Sequence, residues 1–277
     1  MVAVPIENLT LSKVSRISSG IDEMDWLWSG DGPSWGMPTG CLTLLGGEAG
    51  AGKTRAVCAI CSAMMQKNKN ARTLYFQLEM PMSQFNGKCG SLVPRDGRFF
   101  VCGEKELDKM IAEIRRVRPL LVIIDSVNKI AEFNNGYGAN LIEEKFRSVI
   151  EPLQSHAIFI TQLNAMNGIK GGTTLPHMVD TVFTLYKLEL KDIFYIKVLD
   201  KHRFGPTGHD RLSQWEHKEF GAVCVSTCRL IIGTGDDWLE AHGEKGRIVN
   251  EETIGKILLG QTVEADAEPK TWFQKYW

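Results

Sequence analysis

The chain has 277 residues, of which 43% are hydrophobic and 23% charged, and these ordinary globular values exclude wholesale disorder. The formal net charge of -1 is nearly neutral, so any nucleic-acid contact must come from locally concentrated basic groups. The seven cysteines form no secreted-type framework and no signal peptide is recognised, which predicts a reducing cytoplasm. The longest apolar runs are too short to cross a bilayer, so we expect no membrane span.

From residue 41 onward, short β-rich runs alternate with longer amphipathic segments, a pattern typical of a parallel sheet with crossover helices. The predicted strands of that sheet are 41–45, 73–78, 98–101, 120–124 and 157–161. Apolar residues at helical spacing predict helices over 104–117 and 142–153. Residues 181–188 and 194–199 read as consecutive strands around a polar turn. The sequence therefore predicts an α/β fold, with a mostly parallel central sheet flanked by helices and antiparallel strands at its C-terminal side.

Residues 47–54, which follow the first of these strands, match the P-loop pattern G-x-x-x-x-G-K-[ST] without a gap. Its glycines allow backbone N–H groups to point at phosphate oxygens, and the next helix adds its positive dipole end. Lys53 is expected to bridge the β- and γ-phosphates, and the Thr54 hydroxyl is expected to bind Mg²⁺. The predicted ATP-binding residues are Gly47, Glu48, Ala49, Gly50, Ala51, Gly52, Lys53, Thr54 and Arg55.

Two carboxylates follow predicted strands and complete the expected ATP site. Asp125 comes directly after the apolar run 120–124, where it is expected to bind Mg²⁺ through water. Glu79 comes directly after the strand 73–78, and a carboxylate there suits a base or orienting group for the attacking water. A solvated rim position is the alternative for Glu79. ATP and Mg²⁺ are therefore the predicted cofactors.

Several other features have a structural and a functional interpretation. Cys58 and Cys61 have the spacing of a zinc half-site, but they fall inside the predicted helix after the P-loop, which favours buried thiols. The tryptophans at 26, 28 and 35 would suit stacking on bases, although core or interface packing is favoured. The segments 134–138 and 164–176 read as loops at the carboxyl ends of strands, where α/β sheets bind ligands.

Three further motifs identify a family. They are ISSGIDEMD at 17–25, LPHMVDTV at 175–182 and KHRFGPT at 201–207. With the P-loop, they make the chain resemble the RecA superfamily and, within it, the bacterial RadA (Sms) DNA repair ATPases, over residues 14–215. The resemblance implies a RecA-like ATPase core that assembles as a hexameric ring or a helical filament.

The resemblance also implies roles for residues outside the P-loop. Lys201 and Arg203 match the family's basic pair that reaches the γ-phosphate of the adjacent subunit, with a solvated basic turn as the alternative. Gln162 occupies the position of a γ-phosphate sensor. The glycine-rich loop after it resembles a DNA-contacting loop of RecA, which implies single-stranded DNA as a partner. The residues of that loop expected to contact DNA are Lys170, Gly171 and Gly172.

The sequence departs from the RadA pattern in several places. RadA proteins usually carry a four-cysteine zinc module before this core and a Lon-like domain after it, and neither pattern is found here. His202 replaces the asparagine of the KNRFG motif, and we expect a surface histidine there. The expected division is an N-terminal arm over 1–16, the core over 17–230 and an extension over 231–277. The extension has an acidic linker and an aromatic tail that would dock on a neighbouring subunit or a DNA-processing protein, or fold back on its own core.

The leading hypothesis from the sequence is a core-only RadA-like ATPase that acts on single-stranded DNA in recombination, repair or branch migration. A replicative helicase core of the DnaB type is an alternative, because it shares a strand-end glutamate followed by methionine, as in Glu79 and Met80. A KaiC-like regulatory ATPase without DNA is a second alternative. A P-loop kinase is the least favoured, since the motif at 201–207 has no purpose in such an enzyme.

Overall fold

The computed structural model describes residues 15–21, 24–25, 28, 36–134, 138–163, 174–188, 193–203, 223–224 and 229–230. Most of the proposed N-terminal arm and all of the proposed extension lie outside these ranges, so the domain division stays a prediction. Within them, no helix is both long enough and apolar enough to pass through a membrane.

The described elements form a small sheet, a large sheet and five α-helices. The small sheet pairs β1 (Arg16–Ile17) with β2 (Met37–Pro38). The strands of the large sheet are β3 (Cys41–Gly47), β4 (Thr73–Gln77), β5 (Phe99–Cys102), β6 (Leu121–Asp125), β7 (His156–Ile160), β8 (Thr181–Leu188), β9 (Ile193–His202), β10 (Val223–Cys224) and β11 (Arg229–Leu230). The helices are α1 (Lys53–Lys67), α2 (Met82–Cys89), α3 (Leu107–Val117), α4 (Gly138–Leu153) and α5 (Thr174–Met178).

The large sheet has the strand order β11-β10-β9-β8-β3-β7-β6-β4-β5. Every neighbouring pair from β8 to β5 is parallel, whereas β8, β9, β10 and β11 pair antiparallel. The predicted α/β class, with antiparallel strands added on the C-terminal side, is confirmed. In this order the P-loop strand β3 lies between β8 and β7, so the carboxyl ends of β3, β7, β6 and β4 line one edge of the sheet.

Each face of the sheet carries its own apolar core. On one face α1 packs over β3, β4, β6 and β7, and Cys58 and Cys61 are fully buried there, as predicted for core thiols. On the other face α3 and α4 cover the sheet, and the predicted apolar positions of α3 from Leu107 to Val117 are all buried. Strands covered on both faces must be apolar on both, which explains the near-continuous hydrophobic runs in the sequence.

Several element boundaries differ from the predicted ones by a few residues, and side-chain hydrogen bonds account for two of these differences. β4 ends at Gln77, because the Gln77 side-chain oxygen accepts the backbone N–H groups of Glu79 and Met80 and turns the chain. α3 begins at Leu107 instead of residue 104, because the Glu104 carboxylate accepts the N–H groups of residues 105 and 106 in a separate turn. The predicted loop at 134–138 is also shorter, since Gly138 is already the first residue of α4.

His156 is a fully buried histidine with a defined protonation state. Its Nδ1 lies 2.8 Å from the Pro38 carbonyl oxygen, which accepts only, so Nδ1 carries the proton. Its Nε2 lies 3.0 Å from the Thr43 hydroxyl, which in turn accepts the indole N–H of Trp28. Burial lowers the pKa of His156 to about 4. Trp28 is 1% exposed, so the core role favoured for it is confirmed, while Trp26 and Trp35 lie outside the described residues.

This histidine predicts acid sensitivity of the fold. Because its pKa is lowered in the folded state, His156 takes up a proton on unfolding between pH 6.5 and about 4, at a cost to folding of about 1.4 kcal/mol per pH unit. We expect His156→Gln to flatten the fall in unfolding free energy over that range by about 3 kcal/mol relative to the unaltered chain. Urea denaturation of both proteins at pH 7.5 and 4.5 measures this difference, and parallel pH curves would contradict the assignment.

His202 corrects the expectation of a surface histidine. The side chain is 1% exposed, and its Nδ1 lies 3.0 Å from the hydroxyl oxygen of Thr181, on the first residue of β8. The strand pairing explains the burial, since His202 stands opposite Thr181 in the β8–β9 ladder. The two residues that flank it, Lys201 and Arg203, remain partly or largely exposed.

Candidate nucleotide-binding site

The P-loop connects the carboxyl end of β3 to the first residue of α1, as its mechanism requires. Gly50 and Gly52 have φ angles of 79° and 81°, in the left-handed region that favours glycine. A Cβ atom on Gly47 would lie 2.8 Å from the Leu185 carbonyl oxygen, so only glycine fits beside β8. The sequence therefore folds here into a loop whose backbone lies open at the N-terminus of a 15-residue helix.

Lys53 folds back over this loop. Its Nζ donates hydrogen bonds of 2.7 Å to the carbonyl oxygens of Gly47 and Glu48. Burial lowers the pKa of Lys53, while Asp125, Glu79 and Glu48 oppose the change. The ammonium group is therefore held at the mouth of the loop by two neutral acceptors, which a phosphate oxygen is chemically able to replace.

Asp125 is the last residue of β6, and its carboxylate lies against the start of α1. The carboxylate oxygen Oδ2 accepts hydrogen bonds from the Thr54 hydroxyl at 2.8 Å and from the Tyr75 hydroxyl at 2.6 Å. Asp125 is 3% exposed, and burial raises its pKa although both hydroxyl groups lower it. A hydroxyl and a carboxylate side by side are hard oxygen ligands of the kind Mg²⁺ takes in small number, so this pair fits the metal.

A cavity of about 460 Å³ extends from the P-loop across the carboxyl edge of the sheet. It brings together most of the predicted site residues, including Glu79 and Gln162, which follow β4 and β7. The residues that line it are Ala49, Gly50, Gly52, Lys53, Thr54, Arg55, Glu79, Met80, Lys88, Cys89, Asp125 and Gln162. Gly47, Glu48 and Ala51 of the predicted set do not line it.

Four residues at or beside this cavity were not predicted from the sequence. Lys88 and Cys89 reach it from the end of α2, and no sequence pattern indicated that this helix would fold over the P-loop. Tyr75 and Gln77 precede Glu79 at a spacing of two, and Tyr75 contacts Asp125 while Gln77 shapes the turn that carries Glu79. The sequence signal that could have indicated Tyr75 and Gln77 is their spacing from Glu79, because residues two apart along a strand lie on the same face.

Lys201 and Arg203 lie away from this cavity. β3 and β8 run in parallel, and Thr43 pairs with Thr181 near their amino ends. Four residues further along both strands, Gly47 at the start of the P-loop pairs with Leu185. Because β9 is antiparallel to β8 and His202 pairs with Thr181, the basic pair lies at the amino edge of the parallel strands, about 13 Å along the sheet from its own P-loop.

Both basic side chains have partners at that edge. The Lys201 ammonium donates to the carbonyl oxygens of Pro176 and His177 at 2.9 and 2.7 Å. Burial lowers the pKa of Lys201, and Arg203 lowers it further. The Arg203 guanidinium donates from Nη1 to Oδ1 of Asp180 at 2.9 Å. Its side chain is 53% exposed, so about half of its surface stays accessible at this edge of the sheet.

The predicted DNA-contacting residues Lys170, Gly171 and Gly172 lie outside the described residues, as does the glycine-rich loop around them. α5 follows that loop directly, with Leu175 and Met178 buried against the sheet. The role of this loop stays a prediction.

The P-loop joins a parallel strand to a helix, carboxylates stand at the carboxyl ends of β6 and β4, and antiparallel strands extend the sheet beyond β8. This arrangement is that of a RecA-like core. No protein-family model matches the chain. Three DNA repair proteins RadA resemble it. The one from Listeria monocytogenes is 25% identical over 230 residues, which are 81% of this chain and 48% of that protein. The one from Streptococcus pneumoniae is 27% identical over 208 residues, which are 73% of this chain and 47% of that protein. The one from Campylobacter jejuni is 25% identical over 264 residues, which are 93% of this chain and 55% of that protein.

These relatives confirm the resemblance that the motifs indicated. The chain has a RadA-like core of the RecA superfamily, at a distant level of identity. It spans about half the length of the curated relatives that it matches.

Proposed function

We propose that this chain binds ATP with Mg²⁺ and hydrolyses it as a RadA-like motor on single-stranded DNA, in recombination, repair or branch migration. The observation that carries the proposal is the cavity that joins the P-loop to Glu79, Asp125 and Gln162. A P-loop alone supports only nucleotide binding. Two carboxylates and an amide around the position of the γ-phosphate support hydrolysis.

Each residue has a separate role in the proposed reaction. Lys53, which now bonds two carbonyl oxygens, would exchange them for β- and γ-phosphate oxygens. Thr54 and Asp125, which lie in hydrogen-bond contact, would hold the metal. When bound, Mg²⁺ neutralises charge on the transferring phosphoryl group. Glu79 orients and deprotonates the attacking water, and Gln162 detects the γ-phosphate from the neighbouring strand end.

We further propose that Lys201 and Arg203 complete the site of the next subunit. Their position at the opposite edge of the sheet supports action in trans, because they do not line the cavity of their own chain. Cations supplied by a neighbour stabilise the transition-state charge and make hydrolysis depend on assembly. The proposed assembly is a homo-oligomer, either a hexameric ring or a helical filament.

DNA enters the proposal through the relatives, which are named DNA repair proteins. We propose that Lys170, Gly171 and Gly172 contact the DNA backbone, through one ammonium group and backbone amides. A cytoplasmic location and a DNA-processing partner for the aromatic tail remain proposals from the sequence.

The test is ATP turnover with and without single-stranded DNA. We expect turnover to rise when single-stranded DNA is added, and Lys53→Ala to lower it by roughly 100-fold or more in both conditions, because the phosphate-bridging cation is lost. If the rate of ATP turnover does not change with DNA, and Lys53→Ala still abolishes turnover, the DNA-dependent motor is rejected. That result would favour a KaiC-like regulatory ATPase.

A DnaB-type helicase core is the second candidate, and the Glu79–Met80 pair favours it, since both residues line the cavity. The measurement that separates it from the RadA-like motor is directional unwinding of a forked duplex by the assembled protein. Processive unwinding from one strand end identifies the helicase, whereas turnover on single strands without unwinding retains the leading proposal.

A further inference from the structure

We propose that Tyr75 is a positioning residue for Asp125, and that its hydroxyl fixes the carboxylate which holds the Mg²⁺ of the bound nucleotide. This inference rests on the proposed nucleotide and metal site. Tyr75 belongs to no P-loop motif, and its hydroxyl reaches the proposed metal site through its hydrogen bond to Asp125.

The contact between the two side chains is short and buried. The Tyr75 hydroxyl donates to Oδ2 of Asp125 at 2.6 Å, within the range for an O–H group bonded to a carboxylate. Tyr75 is fully buried and Asp125 is 3% exposed, so little water reaches the hydrogen bond between them. A hydrogen bond to an ionised group in such surroundings is among the stronger ones in a protein.

The ring of Tyr75 is itself held in place, so its hydroxyl is a fixed donor. It packs on Phe85 of α2 with ring centroids 4.8 Å apart and on Phe99 of β5 with centroids 6.1 Å apart. β4 and β6 pair in parallel, with Gln77 beside Asp125 and Tyr75 two residues earlier on the same strand. The hydroxyl therefore reaches the carboxylate from a position that the sheet register sets.

The two carboxylate oxygens of Asp125 have different surroundings, and this difference matters for metal binding. Both donors, Tyr75 and Thr54, use Oδ2, and within the described residues no donor reaches Oδ1. With one oxygen fixed by two hydroxyl groups, the other has a defined direction from which to accept a metal-bound water. Without Tyr75, only Thr54 would hold the carboxylate, and Thr54 is itself a proposed metal ligand.

The experiment compares ATP affinity with Mg²⁺ and with a chelator, measured by calorimetry, for the unaltered chain and for Tyr75→Phe. The variant keeps the ring and removes only the hydroxyl. We expect its metal-free affinity for ATP to be unchanged and its gain in affinity from Mg²⁺ to fall by about tenfold. The inference is overturned if Tyr75→Phe, with a thermal melt showing it folded, keeps the full gain.

A matched control separates positioning from packing. Phe85→Leu disturbs the ring against which Tyr75 packs but leaves the hydroxyl present. We expect it to lower the melting temperature while largely keeping the gain from Mg²⁺. An equal loss of that gain in Phe85→Leu and Tyr75→Phe would assign the effect to packing and overturn the role of the hydroxyl. If the unaltered chain binds ATP but shows no gain from Mg²⁺, the proposed metal site fails and this inference fails with it, whereas DNA-independent turnover would remove only the motor function.

Discussion

Mixing two inactive variants, Lys53→Ala and Arg203→Ala, is expected to restore ATP turnover. Lys53→Ala alone should lower turnover by roughly 100-fold or more, because the phosphates lose their bridging cation. Arg203→Ala alone should lower turnover by roughly 1000-fold or more, because the neighbouring site loses its arginine. In a mixed assembly, an intact P-loop from an Arg203→Ala subunit faces an intact Arg203 from a Lys53→Ala subunit. At equal amounts, about a quarter of the interfaces are of this complete kind, so turnover returns to a similar fraction of the unaltered level.

Two controls make this result specific to the subunit interface. A mixture of Arg203→Ala with a variant that carries both Lys53→Ala and Arg203→Ala should stay inactive, because neither protein supplies Arg203. Arg116→Ala alone should turn over normally, since Arg116 is an exposed arginine of α3 that pairs with Glu113. Full activity of assembled Arg203→Ala, or an inactive mixture whose mass shows mixed assemblies, would contradict action in trans.

The sequence predicted the fold well because buried parallel strands produce a simple pattern of continuous apolar residues. β3, β4, β6 and β7 are buried along their whole length, so each appears as a continuous apolar run, and the predicted limits differ from the observed ones by one or two residues. The amphipathic pattern of α3 was equally clear, because one side faces the sheet and the other faces solvent. The P-loop is a local motif, and its residues are contiguous.

What the sequence could not predict depends on contacts between distant segments. Tyr75 and Asp125 are 50 residues apart, and only the pairing of β4 with β6 brings a tyrosine hydroxyl to the metal site. Lys88 required knowledge of how α2 packs across the loop. His202 resembled a surface residue because its neighbours are charged, whereas the antiparallel return of β9 buries it against Thr181.

Asp180 was also visible in the sequence only as part of a motif, yet it connects three separate elements. Its carboxylate accepts the backbone N–H of Leu42 in β3 at 2.9 Å and two hydrogen bonds of 3.0 Å from Arg147 in α4. It also accepts the Arg203 hydrogen bond and is only 3% exposed. Burial lowers the pKa of Arg147, yet Asp180 and Glu143 outweigh it and raise the pKa above its ordinary value.

We expect Asp180→Asn to lower the free energy of unfolding by about 3 to 5 kcal/mol, as measured by urea denaturation at pH 7. The two side chains have nearly the same shape, so the loss arises from the charge: Arg147 and Arg203 lose their shared carboxylate, and the amide N–H₂ group offers donors where donors already point. Since the same carboxylate orients Arg203, the folded fraction of this variant should also turn over ATP more slowly.

Asp96→Asn is the matched control, because Asp96 also pairs with an arginine, Arg98, but its side chain is 44% exposed. Because solvent screens this exposed pair, Asp96→Asn should lower the free energy of unfolding far less than Asp180→Asn does. Equal losses in the two variants would mean that burial gives the Asp180 network no special strength. A large loss confined to Asp180→Asn, with slower turnover of the folded protein, would mean that one buried carboxylate supports both the strand leading to the P-loop and the arginine offered to the neighbouring subunit.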